Sequence, residues 1–345
     1  MNGRLAHLQA QVEEPLLVSS LVNVRYLTGL SSSNAALLVT QDGTRLYTDF
    51  RYAERARVVP GVEFVQTRRD IYAELPELVQ GRVGFEPGAL TYTRYATLAA
   101  GGLELVPRDG LVEAMRAVKD EGELDTIRRA AAVTSEAFAR LAEEPFVGRP
   151  ERDLAWRMES LFRELGGDEP AFPVIVAAGP TGGSPHAEPG DRLIEPGETV
   201  VIDAACRIDG YCSDCTRTFL TGELPEELAR AYDVVLEAQL IGLAAVKAGA
   251  DSAAVDGTAR DVVEAAGFGG QFGHGLGHGL GLEVHEKPWL NAEWPSELEA
   301  GNVVTVEPGV YLPGVGGVRI EDLVIVTQQG AEVLTSFTKE PVSVG

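Results

Sequence analysis

Cysteine and histidine are scarce in this chain, long apolar runs are missing, and each shortage narrows what it can be. The three cysteines, Cys206, Cys212 and Cys215, fall within ten residues, too few and too clustered for a disulfide framework. A reduced, cytoplasmic setting is therefore expected. No apolar stretch approaches the roughly 20 residues of a membrane span. Met1 to Glu14 carries acids where a secretory signal needs an apolar core. Positive charge is short too: 29 Lys and Arg against 52 Asp and Glu leave a net charge of −23, which argues against nucleic acid and anionic membrane as partners. No Gly-x-Gly-x-x-Gly follows a strand and opens a helix, so a dinucleotide fingerprint is missing.

Three of the five histidines lie within the fourteen residues Gly273 to Glu286, where glycine fills every second position from 273 to 281. Helices tolerate such glycines poorly and strands are weakened by them. The segment reads as backbone held close to something, with imidazoles aimed at it. Imidazole is the commonest metal ligand and general acid or base.

At 345 residues the chain has room for two domains. Up to about residue 110, short strands alternate with helices. Leu16-Leu17-Val18, Ala35 to Val39 and Arg82 to Phe85 read as strands, with a hairpin turn at Gln41-Asp42-Gly43-Thr44. Arg51 to Val58 and Thr91 to Ala100 read as helices. The character changes at Val118-Lys119-Asp120, giving expected domains 1–118 and 119–345. Asp120 with Glu123 makes a capping box before Leu124, Ile127, Ala131 and Phe138 at helical spacing. A helix from Leu154 to Leu165, a Gly/Pro-rich loop carrying His186 and a hairpin from Thr199 to Phe219 follow. The same order then recurs: helices from Glu226 to Lys247 and Asp251 to Ala266, the histidine loop, and strands at Val303–Glu307 and Val318–Val326. Two helices, a histidine-bearing loop and paired strands, twice over, suggest an ancient duplication.

Asp209-Gly210 is a two-residue hairpin turn. It sets Ile208 opposite Tyr211 and, counting outward, Ala205 opposite Asp214. Asp203 then shares a face with Asp214, as diagonal neighbours roughly 7–8 Å apart at the backbone. That suits two side chains reaching one metal centre and is too far for a shared proton. An apolar strand such as Val200-Val201-Ile202 should not end in an acid unless something neutralises it. Val303-Val304-Thr305-Val306 runs likewise into Glu307, and Glu321-Asp322 adjoins Leu323 to Val326. Four carboxylates and an imidazole suit two divalent ions bridged by carboxylates. Cys212-Ser213-Asp214-Cys215 has the spacing of a metal or redox pair, but its cysteines differ in parity and face opposite sides of the strand.

Asp203, the run Asp209 to Thr218, Gly277-His278-Gly279 through His285-Glu286-Lys287-Pro288, Val306-Glu307-Pro308-Gly309 and Arg319-Ile320-Glu321-Asp322 together resemble the M24 metallopeptidases. The proline-specific branch, prolidase (Xaa-Pro dipeptidase) and aminopeptidase P, is the most similar. Asn23 to Gly29 extends the likeness into the first domain. The resemblance implies a small α/β N-terminal domain of the creatinase/prolidase kind and a C-terminal pita-bread domain with pseudo-twofold symmetry. It implies a dinuclear site with Asp203, Asp214, His278, Glu307 and Glu321 as ligands, Asp214 and Glu321 bridging, and manganese as the expected metal, with cobalt or zinc as alternatives. His186 and His285 match the substrate-facing histidines, Glu307 a proton shuttle, and His274 a histidine at the pocket edge. Hydrolysis of Xaa-Pro dipeptides by a homodimer is the implied activity, with removal of the first residue of longer Xaa-Pro peptides as the alternative. Methionine aminopeptidase, creatinase-like chemistry and a non-catalytic peptide-binding module rank below. Asp203-Ala204-Ala205 stands where the family often has Asp-x-Gly. Trp289-Leu290 stands where some prolidases carry the arginine for the substrate carboxylate, leaving Arg45 or Arg51 to take that part.

Overall fold

A computed structural model describes residues 3–345; Met1 and Asn2, where the expected first domain and the leading Met1–Glu14 stretch begin, lie outside the described residues. The chain divides into two compact units, Met1–Arg116 and Ala117–Gly345.

The first unit is built on one six-stranded sheet. Its strands are β1 (Leu16–Val18), β2 (Ala35–Thr40), β3 (Gly43–Thr48), β4 (Glu63–Gln66), β5 (Arg82–Phe85) and β6 (Glu104–Pro107), in the order β4-β3-β2-β1-β5-β6. The turn at Gln41 and Asp42 closes the β2–β3 hairpin, with Thr40 opposite Gly43. Helices α1 (Gly3–Gln11), α2 (Leu21–Thr28), α3 (Ala53–Arg57), α4 (Ile71–Leu78), α5 (Tyr92–Ala100) and α6 (Leu111–Ala117) separate or flank the strands. The apolar core gathers Leu17, Ala36, Leu38, Tyr47, Ile71, Leu75 and Leu98 from strands and helices.

The second unit repeats one plan twice. In its first half, α7 (Glu121–Leu141) starts at the Asp120–Glu123 capping box. Helix α8 (Glu151–Glu164) begins three residues ahead of the expected start, because Pro150 ends the preceding chain and Glu151 is already helical. Both pack on a core shared with β8 (Ile175–Ala178), β9 (Thr199–Asp203) and β12 (Thr216–Leu220), where Phe138, Phe146, Phe162 and Phe219 meet. Strand β7 (Glu169–Pro170) pairs with the hairpin of β10 (Cys206–Ile208) and β11 (Tyr211–Cys212), in a separate sheet from β9 and β12. In the second half, α9 (Glu226–Ala245) and α10 (Ser252–Ala265) lie on a core that takes Val304 and Val306 from β15 (Val303–Val306) and Val324 and Val326 from β18 (Asp322–Val326). The sheet runs β14-β13-β15-β18-β19, with β13 (Gly277–Gly279), β14 (Glu286–Leu290) and β19 (Ala331–Val333). Strands β16 (Gly309–Leu312) and β17 (Gly316–Arg319) pair apart from it, and β20 (Val342–Ser343) joins β12. Helix pair upon sheet, twice, is the pseudo-symmetric pita-bread arrangement. Among the described residues no helix is long and apolar enough to cross a membrane.

Two expectations need correction. Val318–Val326 is not one strand: β17 pairs with β16 and β18 with β15, so Ile320 and Glu321 fall at the break. The glycine-rich segment also contains a strand after all. A Cβ on Gly277 would stand 2.0 Å from the Thr305 carbonyl oxygen, and one on Gly279 would stand 2.3 Å from that of Lys287. What this backbone is held close to is its own neighbouring strands, and glycine is there because no side chain fits.

Candidate metal centre

The hairpin that carries the first two acids has the register its turn dictates. Ile208 lies opposite Tyr211, the Ala204 N–H reaches the Cys215 carbonyl, and Asp203 lies opposite Thr216. Asp214 is therefore diagonal to Asp203. The break between β17 and β18 turns Glu321 out of the ladder, its N–H bonded to the Thr216 carbonyl and its carboxylate accepting from the Thr216 hydroxyl at 2.7 Å. One oxygen from each of Asp203, Asp214 and Glu321 lies within 4.8 Å of the other two.

His278 and Glu307 come from β13 and the end of β15. Thr305 fixes both: its Oγ1 accepts the His278 backbone N–H at 3.0 Å and donates to Glu307 Oε1 at 3.0 Å. His278 Nδ1 faces the Gly279 carbonyl at 3.0 Å. A carbonyl can only accept, so Nδ1 carries the proton and Nε2 is left toward the acids, 3.3 Å from Glu307 Oε1 and 3.9 Å from Asp214 Oδ2. Asp214 thus touches both the carboxylate trio and the imidazole.

The electrostatics are those of negative charge gathered where water is excluded. Burial, then Glu321 and Asp203, pushes the Asp214 carboxyl well above its ordinary range. Burial and then Glu307 and Asp203 do the same to Glu321. Asp203 is raised by burial in spite of Arg319, whose Nη2 donates to its Oδ2 at 2.6 Å. Burial would raise Glu307 as well, but in metal-free protein His278 is protonated at Nε2 too, its own burial outweighed by Glu307, and its hydrogen bond and charge hold Glu307 down at about 2. A cation would displace that Nε2 proton and take the lone pair. The Oδ1 atoms of Asp203 and Asp214 are buried without a hydrogen-bond partner. Buried orphan oxygens on crowded carboxylates, beside an imidazole lone pair, fit divalent cations and fit little else.

The four acids and the imidazole open into a cavity of about 660 Å³, all of whose lining comes from the second unit. His186 and His285 are exposed on its wall. The His285 ring lies 4.3 Å from that of His278 and is stacked on Trp289. His274 is half-buried, with Nδ1 2.8 Å from the Gly275 carbonyl and Nε2 2.9 Å from the Tyr311 hydroxyl. That hydroxyl accepts from Arg319 Nη1 at 2.9 Å, so a chain of contacts runs from His274 through Tyr311 and Arg319 to Asp203. Arg319 and Tyr311 were not picked out from the sequence. Arg319 stood two residues before Glu321, in a motif already noted, while nothing local marks Tyr311.

Among the described residues lining the cavity, Arg319 is the one Arg or Lys. Its guanidinium is engaged by Thr216, Tyr311, Asp203 and the Pro185 carbonyl. Arg45 and Arg51 belong to the first unit, where Arg45 pairs with Glu63 at 3.0 Å and Arg51 grips Asp49 with both Nε and Nη2 at 2.8 Å. Cys212 and Cys215 are free thiols in different apolar cores. Burial raises both, Cys212 to about 12, which leaves neither a thiolate to bind metal.

A carboxylate-rich centre beside histidines at the open edge of a pita-bread domain defines a metal-dependent hydrolase. Residues 125–328 match Metallopeptidase family M24, and residues 4–118 match the Creatinase/Prolidase N-terminal domain. The chain belongs to the M24 metallopeptidases, and membership carries divalent metal ions as cofactors. It is 33% identical over 333 residues to the Xaa-Pro dipeptidase of Pyrococcus furiosus, covering 94% of each chain. A solved Xaa-Pro dipeptidase from Bacillus anthracis superposes with a TM-score of 0.94 at 35% identity, covering 99% of both chains. An X-Pro aminopeptidase from Thermotoga maritima gives 0.87 at 31% identity, covering 96% of this chain and 97% of that one.

Proposed function

We propose that this chain hydrolyses the Xaa-Pro bond of dipeptides at a centre of two divalent ions, manganese by preference, held by Asp203, Asp214, His278, Glu307 and Glu321. The trio Asp203, Asp214 and Glu321, the first partly and the others fully buried, carries the reading, because three carboxylates that close need cations between them. Asp214 and Glu321 would be the ligands that both ions share, and the position of Asp214 beside Asp203 and Glu321 on one side and His278 on the other supports its part. The proline specificity rests on the names of the relatives. Small peptides with proline second are the substrates, a homodimer is the proposed assembly and the cytoplasm the proposed location. The catalytic domain spans 119–345 on this reading, preceded by the domain at 1–118.

Bound ions supply Lewis acidity, which polarises the scissile carbonyl and makes water a nucleophile near neutral pH. The proline nitrogen is tertiary in the peptide and must gain a proton to leave. Glu307, held by Thr305 and His278 beside the cavity, carries that proton. His186 and His285, exposed on the cavity wall, donate to the oxyanion, each contributing about 3–4 kcal/mol. His274 is restrained at the edge by Tyr311 and orients substrate.

A specific observation favours a second reading, release of the first residue from longer Xaa-Pro peptides. The cavity's one arginine is already engaged, and Trp289 sits on its wall. A dipeptidase needs a cation for the free proline carboxylate, which on the first reading is Arg45 or Arg51. Proline release from Ala-Pro, beside alanine release from Ala-Pro-Ala, decides between them, each with added manganese and again with a chelator. Chelator-sensitive cleavage of Ala-Pro alone supports the dipeptidase. Preference for the tripeptide supports the alternative. No cleavage of either by metal-loaded protein overturns the proline reading.

A further inference from the structure

We propose that Glu151 is a positioning residue that sets His186 over the cavity. Glu151 opens α8 and is 1% exposed. One carboxylate oxygen accepts from the Ala178 N–H at 2.9 Å and from the Thr181 hydroxyl. The other accepts from the Gly190 N–H at 3.1 Å. Ala178 ends β8, and Thr181 lies in the short 3₁₀ turn Gly179–Gly183 that follows. Gly190 lies past the far end of the same loop. A single buried side chain therefore ties both feet of the segment 178–190, and His186 sits near its crest. The backbone repeats the grip, with the Glu151 N–H on the Arg192 carbonyl at 3.1 Å and the Arg152 N–H on the Gly190 carbonyl at 3.2 Å. Arg319 Nη1 holds the Pro185 carbonyl at 3.2 Å, one residue before His186.

A carboxylate suits this place physically. It accepts several N–H and O–H donors at once and lies at the positive end of the α8 dipole. His186 is exposed on a loop otherwise rich in Gly and Pro, so its height is set by the loop's footing together with the Arg319 contact at Pro185. A displacement of about 1 Å in a group that touches the reacting atoms can cost on the order of a hundredfold in rate. Glu151 touches none of those atoms and acts through the loop.

The proposal rests on the reading of His186 as an oxyanion donor, and its test separates the two. Glu151→Gln, His186→Ala and the double variant are compared for kcat and KM on Ala-Pro with manganese. Metal content and hydrogen exchange across 178–190 are measured alongside. Glu151→Gln is expected to lower kcat roughly 10- to 100-fold, to keep full metal content and to speed exchange at both feet of the loop. In the His186→Ala background it is expected to change kcat by less than about threefold, because the group it positions is gone. Equal losses in both backgrounds would mean general support of the fold and overturn the proposal. So would wild-type kcat in Glu151→Gln when His186→Ala is impaired. Wild-type kcat in His186→Ala would instead sink the His186 reading itself, and the proposal with it. Should Glu151→Gln not fold, Thr181→Val removes one donor from the loop side. A smaller loss with the same dependence on His186 is then expected, and full activity overturns the clamp.

Discussion

Asp322 accepts from Arg217 and Thr335 on one oxygen and from Gln239 and Lys339 on the other, whereas Glu321, one residue earlier and as deeply buried, is met at its carboxylate by Thr216. The two acids face different regions. Asp322 points into a core that was built to receive a charge, and its carboxyl is lowered: burial pushes it up, but Arg217 and Lys339 outweigh that. Glu321 points toward the other site carboxylates and is raised. Elsewhere Glu86, taking the Ser19 and Ser20 N–H groups and Asn23, shares the bonded oxygens of Asp322, although burial leaves its carboxyl raised. Buried acids whose oxygens are saturated hold the fold. Buried acids crowded by like neighbours, as Glu321 is, mark the site, and Asp203 and Asp214 there add orphan oxygens.

The comparison breaks most sharply at Glu321. Glu321→Ala should lose bound metal, by elemental analysis, and lower Ala-Pro hydrolysis by roughly a thousandfold or more, the scale of several kcal/mol of Lewis-acid stabilisation. Full metal and full activity would sink the ligand assignment. Asp322→Ala should do the reverse. Removing the acceptor strands Arg217 and Lys339, so urea titration should read a loss of about 3–5 kcal/mol in stability, while the folded fraction keeps its metal.

pH sharpens the same contrast. Asp322 has a folded value below its ordinary 3.8, so its contribution is complete above that value and is lost as pH falls through the lowered one. Asp214 and Glu321 have the opposite sign. In metal-free protein their contribution is present at acid pH and disappears as pH rises through their raised values. Thermal midpoints should show metal-free protein losing stability as pH rises above the ordinary carboxylate range, and the gain on adding manganese growing over the same rise. A gain independent of pH would contradict this. The smallest effect belongs at the surface. The Arg45 side chain is 50% exposed in its pair with Glu63, so Arg45→Ala should leave the thermal midpoint unchanged. A tenfold rise in KM for Ala-Pro, with no change for Ala-Pro-Ala, would identify Arg45 as the carboxylate anchor.

Much of this was legible before any coordinates, and for local reasons. Asp209-Gly210 admits one turn, and counting from it puts Asp203 diagonal to Asp214. Acids at the ends of apolar strands advertised a need for compensation. The break at Ile320 and Glu321 was not legible, because Val318 to Val326 reads as one continuous strand and only pairing with two different partners divides it. Gly277 and Gly279 were seen as crowded, but what crowds them is set by strand pairing: Thr305 of β15, distant in sequence, and Lys287 of β14, which only a folded-back chain brings beside Gly279. Glu151 stands three residues ahead of the helix start expected at Leu154, with nothing local to mark it. Its partners are 27 to 39 residues away and carry no mark of their own.

The hairpin and the strand break stand 118 positions apart at Asp203 and Glu321. On the proposed ligand set, a cation gripped by both would work as a removable crosslink across about half of the pita-bread domain. Closing a loop of that length costs the unfolded chain on the order of 4 kcal/mol in entropy. Chelation would therefore return the domain to an open polymer problem, with two half-domains meeting face to face across unscreened like charge. The ion would be the buckle of the fold as well as its reagent.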